Sequence, residues 1–220
     1  MLYSYCIPVD DGAAPNPFWG VCTLAICKPV IRRNAKIGDW IVATGSARYG
    51  IQNKVVYAMR VDDIMTYEEY DDFCNKNLPE KIPNWNSTDL KRKVGDCIYD
   101  FSSGEPKLRD SVHEGQEIIE RDLRGKNVLL SKHFIYFGSA PQPIKDSLIP
   151  IVRQGQGHKS KSNAPFLDEF IHWIEPLLQN KNIANNPPYG FYEWKDGNCI
   201  VRPTERHIEE DDEDERIGNC

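Results

Sequence analysis

Apolar and polar positions alternate in a way that cuts the chain into short segments. Residues 2–8 (LYSYCIP) form an aromatic and apolar run that predicts a first strand. Pro, Gly, Asn and Asp dominate 10–20 (DDGAAPNPFWG), which reads as a loop. VCTLAICK (21–28) is too short for periodicity to choose between a strand and a short helix. After a Gly-Asp turn, WIVAT (40–44) has the continuous apolar character of a buried strand, and KVVYAMRV (54–61) predicts the next one. Thr66 with Glu69 is a capping-box signature for a short acidic helix within 66–74. Residues 75–93 read as polar loop, with Pro79 and Pro83 opposing regular structure.

Farther along, CIYDF (97–101), NVLLS (127–131) and HFIYFGS (133–139) predict strands, with an irregular KLRDSVHEGQ stretch between the first two. Prolines punctuate 141–152. An amphipathic helix follows, with Asn163 as N-cap, Pro165 in the first turn, and Phe166, Leu167, Phe170, Ile171, Ile174 and Leu178 at helical spacing. A hairpin GFYEW–KDGN–CIV is expected at 190–201, turning at Asp196-Gly197. The pattern divides the chain into a folded domain over 1–185, a hairpin extension over 186–204 and an acidic, disordered tail over 205–220. Short strands with helices inserted, and no regular βαβ alternation, predict an α+β fold. Its centre is a small curled β-sheet or barrel with short helices packed on it.

Composition narrows the class. At 220 residues, 40% hydrophobic and 27% charged, the chain is suited to one domain with a full core or two very small ones. No apolar run approaches the ~20 residues a bilayer demands, and MLYSYCIPVDD lacks the basic opening of a signal peptide. A cytoplasmic protein with no membrane partner is therefore expected. Seven cysteines at irregular spacing read as reduced, buried and inert thiols rather than a disulfide framework. No Cys/His spacing completes a metal site, and neither GxGxxG nor GxxxxGK[ST] is present, so no metal or cofactor is expected.

Charge changes the picture more. The net charge of −6 resides in 205–220, and the remaining 204 residues hold 25 acids and 25 bases. Seven bases and one acid lie between Lys28 and Arg60, and eight bases face two acids between Arg121 and Lys161. Six acids and no base fill 62–72. A basic face suited to a nucleotide or nucleic acid accounts for this clumping, as does a salt-bridged surface.

Four clusters carry candidate chemistry. In 14–33, Phe18 or Trp19 is placed to stack on a base, with Lys28 and Arg33 behind. The same loop also suits a simple cover over the core, above all at Trp19. In 38–50, Thr44, Ser46 and Arg48 offer hydroxyls, backbone and charge at the end of a buried strand. In 129–139, Ser131 and His133 share a strand face and Lys132 points away, with no assignable acid. In 151–162, Gly155 and Gly157 make a loop carrying Arg153, Gln154, Gln156, His158, Lys159 and Lys161, a composition that suits a phosphate or nucleic-acid contact and equally occurs in flexible linkers. Arg109, Asp110, His113 and Glu114 fit either an ion-pair network or an acid/base site.

The run APNPF..G.CTLA.CKP.IRR.A..GDWI..TGS, then YAM and the EEY segment, KHFIYFG and GQGHKS, resembles the nucleotide modification associated domain 2 family over about residues 3–175. That resemblance implies association with modified or hypermodified DNA bases, chiefly in phage and bacterial settings, with no fixed reaction. KIGDWIVATGS is also similar to PUA-like barrels, including EVE and ASCH domains, which recognise modified bases and in some cases hydrolyse modified nucleosides.

Three functions follow as expectations. A base-recognition module would use Phe18, Trp19, Lys28, Arg33, Thr44, Ser46, Arg48, Lys132, Arg153, Gln156, His158 and Lys159. An enzyme modifying or hydrolysing a nucleobase or nucleotide would draw on Asp39, Thr44, Lys132 and His133. An interaction protein would use its acidic tail to mimic DNA charge or shield the basic face.

Overall fold

The computed structural model describes residues 1–113, 115–180 and 184–190. The expected hairpin and acidic tail fall at 191 and beyond, apart from the start of the hairpin, and so lie outside the described residues.

In chain order the elements are β1 (Leu2–Ile7), β2 (Cys22–Leu24), α1 (Pro29–Asn34), β3 (Trp40–Gly45), β4 (Lys54–Arg60), β5 (Asp63–Thr66), α2 (Tyr67–Asn77) and α3 (Leu90–Lys93). There follow β6 (Tyr99–Asp100), β7 (Lys107–Leu108), α4 (Gln116–Leu123), β8 (Asn127–Ser131), β9 (His133–Tyr136), β10 (Gln142–Pro143), β11 (His158–Lys159) and α5 (Leu167–Ile174). Short 3₁₀ segments of three to six residues link several of them.

Two sheets form the centre. The larger runs β10-β4-β3-β1-β11, with β9 also on β4, and the smaller runs β2-β8-β5. The pair β1–β3 is parallel and in register from Leu2↔Trp40 to Ile7↔Gly45, and the other pairings in these sheets are antiparallel. β3 is buried along its whole length, which is why its sequence is apolar without alternation.

The chain passes between sheets twice at one corner. β4 leads into β5 and β8 into β9, and the Asp62 amide bonds Leu130 O at 2.9 Å across the bend. The ribbon β4–β5/β8–β9 is therefore one bent antiparallel pair shared by both sheets. β2 and β11 end the sheets on the far side and do not pair with each other. The expected α+β character holds, but the described strands form an open pair of sheets rather than a closed PUA-like barrel.

Three apolar layers follow from the strand faces. Tyr3, Tyr5, Ile41, Tyr57, Met59, Phe134 and Tyr136 meet Cys22, Leu24 and Leu129 between the sheets. Leu2, Trp40, Val42, Ala58 and Ile135 face the opposite way, onto Phe170, Ile174 and Leu178. The outer side of the small sheet packs with Tyr67, Tyr70 and Cys74 of α2 and with Val94, Ile98 and Tyr99.

Local chemistry fixes several ends. Thr66 and Glu69 close the capping box that starts α2. The α-helix expected from Asn163 instead begins at Leu167, because 161–166, which contains Pro165, is a 3₁₀ segment. Lys81 is wholly buried, and its Nζ donates to Asn16 O (2.8 Å), Asn16 Oδ1 (2.6 Å), Val21 O (2.8 Å) and Thr23 Oγ1 (2.9 Å). Burial lowers its pKa and raises that of buried Asp96, each charge partly offsetting the other's desolvation. Asp96 in turn accepts from Thr23 (2.5 Å) and Tyr70 (2.7 Å).

Candidate active site

The site is built where β2 leaves its sheet. Ala25 and Ile26 are fully buried, and the next two residues, Cys27 (φ 57) and Lys28 (φ 41), are left-handed before Pro29 opens α1. Two consecutive non-glycine residues in that region cost roughly 1–3 kcal/mol each and persist only where surrounding contacts impose them. Arg32 supplies much of the constraint. Its fully buried guanidinium donates to Cys27 O (2.6 Å), Asp122 O (2.7 Å), Asn127 O (2.9 Å) and the Tyr67 hydroxyl (2.5 Å).

Asp122, near the end of α4, faces the same corner. One carboxylate oxygen accepts the Cys27 amide at 2.9 Å. The other is 2.6 Å from His113 Nδ1 and accepts the Tyr99 hydroxyl at 3.1 Å. On the far side of the ring, His113 Nε2 lies 3.6 Å from Cys27 Sγ. Asp122 and His113 are buried and Cys27 is half-buried, so thiol, imidazole and carboxylate stand in line from surface to interior.

The electrostatics match the geometry. Burial opposes a charged His113, yet the Asp122 carboxylate and the Cys27 contact outweigh it and raise the imidazole to about 10. Burial likewise opposes ionised Asp122, but His113, Arg32 and the Cys27 amide together hold its carboxyl below the usual carboxylate range. The pair is carboxylate and imidazolium at neutral pH, and an imidazolium in contact with a thiol favours the thiolate.

Next to Cys27 in the chain, Lys28 Nζ sits 5.1 Å from the centre of the Tyr5 ring, whose hydroxyl is 2.9 Å from that of Tyr57. A Cys–His–Asp line of this kind is the arrangement that activates a sulfur nucleophile.

The model for nucleotide modification associated domain 2 matches residues 1–196. The chain belongs to that family. Searches of curated proteins and of solved structures each return no match.

In this nucleotide modification associated domain 2 protein, the residues singled out by sequence lie in several places. Lys28 follows Cys27 in the chain and meets the Tyr5 ring, and His158 on β11 stands opposite Tyr5 in register and 6.0 Å from the Tyr3 ring. Lys159 donates to Pro150 O at 2.8 Å, and Arg153 donates to the backbone of Gln156 on the same edge. Phe18 is buried, with Lys91 Nζ 5.8 Å from its ring centre. Trp19 is half-buried and packs against the same core, its indole nitrogen without a hydrogen-bond partner among the described residues.

Arg33 is exposed and reaches Arg124 O at 3.4 Å. Ser46 accepts the Arg48 amide at 3.0 Å, while the Arg48 guanidinium lies 5.7 Å from the Tyr49 ring centre. Asp39 is ion-paired with the Met1 amine. His133 is 2.9 Å from Glu175, and the Lys132 amide donates to Asp62. Thr44 is buried, its hydroxyl without a hydrogen-bond partner among the described residues. Asp39 precedes β3 and Thr44 lies near its far end, so Asp39, Thr44, Lys132 and His133 do not all meet at one place.

A concave region lies at the end of β1, lined by Ile7, Asp10, Tyr49, Ile51, Tyr189 and Gly190. Tyr49 and Tyr189 stand 5.2 Å apart between ring centres. Asp10 accepts the Tyr136 hydroxyl at 2.5 Å, and burial pushes its carboxyl up to about 6 despite that bond.

Proposed function

We propose that this protein is a thiol-dependent enzyme of nucleobase or nucleotide modification, with Cys27 as nucleophile, His113 as its proton partner and Asp122 as the group that orients the imidazole. The contact of Cys27 Sγ with His113 Nε2 at 3.6 Å, backed by the 2.6 Å His113–Asp122 bond, carries this reading. Membership of the nucleotide modification associated domain 2 family supports the substrate class. Cys27 is only half-buried, which suits substrate access, and the adjacent Lys28 brings positive charge to that corner. Incubating the full chain with free nucleotides and with oligonucleotides bearing unmodified or modified bases, and analysing products by mass spectrometry, tests it. Conversion by the wild type and its loss in Cys27→Ala are expected. Conversion unaffected by Cys27→Ala would remove Cys27 from the chemistry.

The concave region at Asp10 favours a second reading, a module that recognises a modified base. A buried carboxyl beside two tyrosine rings has the elements of base recognition. This reading predicts that Tyr49→Ala weakens binding of a modified-base oligonucleotide at least tenfold while Cys27→Ala leaves it unchanged. Equal affinities for wild type and Tyr49→Ala would refute it.

A further inference from the structure

We infer that the reaction of Cys27 is acyl transfer: the sulfur takes an acyl group from an amide or ester and passes it to water or to an amine. The inference rests on the thiol-nucleophile reading and specifies its chemistry.

A thiolate can attack a nucleobase derivative in two general ways. In conjugate addition to a pyrimidine ring carbon nothing leaves the attacked atom, and negative charge gathers on a carbonyl oxygen across the ring. The proton donor for that reaction belongs far from the sulfur. In acyl substitution the leaving nitrogen or oxygen sits on the very carbon the sulfur attacks, so its proton must come from a group touching the sulfur.

Here the proton carrier touches the sulfur. His113 Nε2 is 3.6 Å from Cys27 Sγ, and the 2.6 Å contact of Nδ1 with Asp122 keeps the other nitrogen turned toward the thiol. Asp122 is itself held, through its backbone carbonyl by Arg32 (2.7 Å) and through its carboxylate by the Cys27 amide (2.9 Å). The ring is thus fixed at the sulfur and cannot swing to a distant oxygen without losing its carboxylate.

The steps balance as follows. The thiol proton resides on His113 Nε2, and the sulfur attacks the acyl carbon to form a C–S bond. The C–N or C–O bond breaks, and the leaving atom takes the proton from Nε2. Water or an amine then attacks the thioester and gives its proton to Nε2. The C–S bond breaks, and the thiolate–imidazolium pair is restored. In a nucleotide-modification setting the matching substrates are a base carrying an N-acyl group, which is removed, or a base amine that receives one.

The full-length wild type is treated with 4-nitrophenyl acetate, quenched in acid, digested and mapped by mass spectrometry, in parallel with native alkylation by iodoacetamide. The expected results are an acetyl thioester on the Cys27 peptide, its absence in Cys27→Ala, and alkylation of Cys27 at neutral pH roughly tenfold faster than that of an ordinary thiol. Adding a primary amine or a nucleoside bearing an exocyclic amine separates transfer from hydrolysis. Fast alkylation without a thioester, or an adduct with a 5-fluoropyrimidine nucleotide in its place, would overturn acyl transfer and leave Cys27 a nucleophile. Alkylation no faster than an ordinary thiol would overturn the nucleophile reading itself.

Discussion

At the residue scale, Asp122 carries two duties that separate by experiment. It fixes the His113 ring, and it neutralises a corner that also holds the buried Arg32 guanidinium 3.9 Å away. Asp122→Asn leaves Arg32 and His113 facing a neutral amide. A loss of about 3–5 kcal/mol in unfolding free energy is expected by urea titration, as when one partner of a buried pair is removed. Stability should also depend on pH through His113. Its pKa rises from 6.5 to about 10 on folding, so its contribution is complete below pH 6.5 and is lost as pH climbs through about 10. Asp122, lowered on folding, contributes above the ordinary carboxylate range and loses that contribution as pH falls. Urea midpoints across the alkaline range should decline for the wild type and flatten in His113→Gln. An unchanged slope in that variant would assign the dependence elsewhere.

At the element scale, the turn from α4 into β8 is shaped by one close approach. A Cβ on Gly125 would lie 2.4 Å from the Arg32 guanidinium carbon, which is flat, buried and bonded on every side. Gly125→Ala should therefore displace Arg32, slow Cys27 alkylation and lower the melting temperature, whereas alanine at open Gly104 should leave alkylation unchanged. The capping box of α2 predicts a milder effect: Thr66→Ala should cost about 1 kcal/mol by urea titration.

Elements were legible where local chemistry decides them. β1, β4, β8 and β9 fall inside the apolar runs that predict them, β3 overruns its run by Gly45, and Thr66/Glu69 marks α2 because a capping box is complete within four consecutive residues. α1, α4 and β5 were not legible, for each is short and depends on its partner: β5 on β8, and α1 on the Arg32 bonds that fold it back. The candidate site was hidden for the same reason. Cys27, His113 and Asp122 share no spacing, since the contacts that unite them span 86 and 9 residues of sequence. Cys27 was read as an inert thiol because burial is the rule for cysteine, and here Cys22, Cys74 and Cys97 are buried while Cys27 is not. His113 stood out only as a member of a charged stretch whose acid, Asp122, lies on the next helix.

At the scale of the whole molecule, the layers separate stability from chemistry. α5 packs on the face of the larger sheet presented by Leu2, Val42 and Ala58, while Tyr5 and Tyr57 point through the other face toward the thiol's side. Phe170→Ala should open a cavity in the α5 layer and cost about 3–5 kcal/mol by denaturant titration. The native alkylation rate of Cys27 should stay the same, because the sheet stands between them. A large change in that rate would mean the layers are mechanically coupled.

The buried Lys81 gives the molecule a chemical clock. Its amino group is enclosed by Asn16, Val21 and Thr23, so an amine-acylating reagent meets it only when those segments part. Exposed lysines such as Lys36 and Lys126 will label at once, and the lag before Lys81 follows will count openings of the interior. One reagent, read residue by residue, thereby reports surface and interior breathing in the same sample.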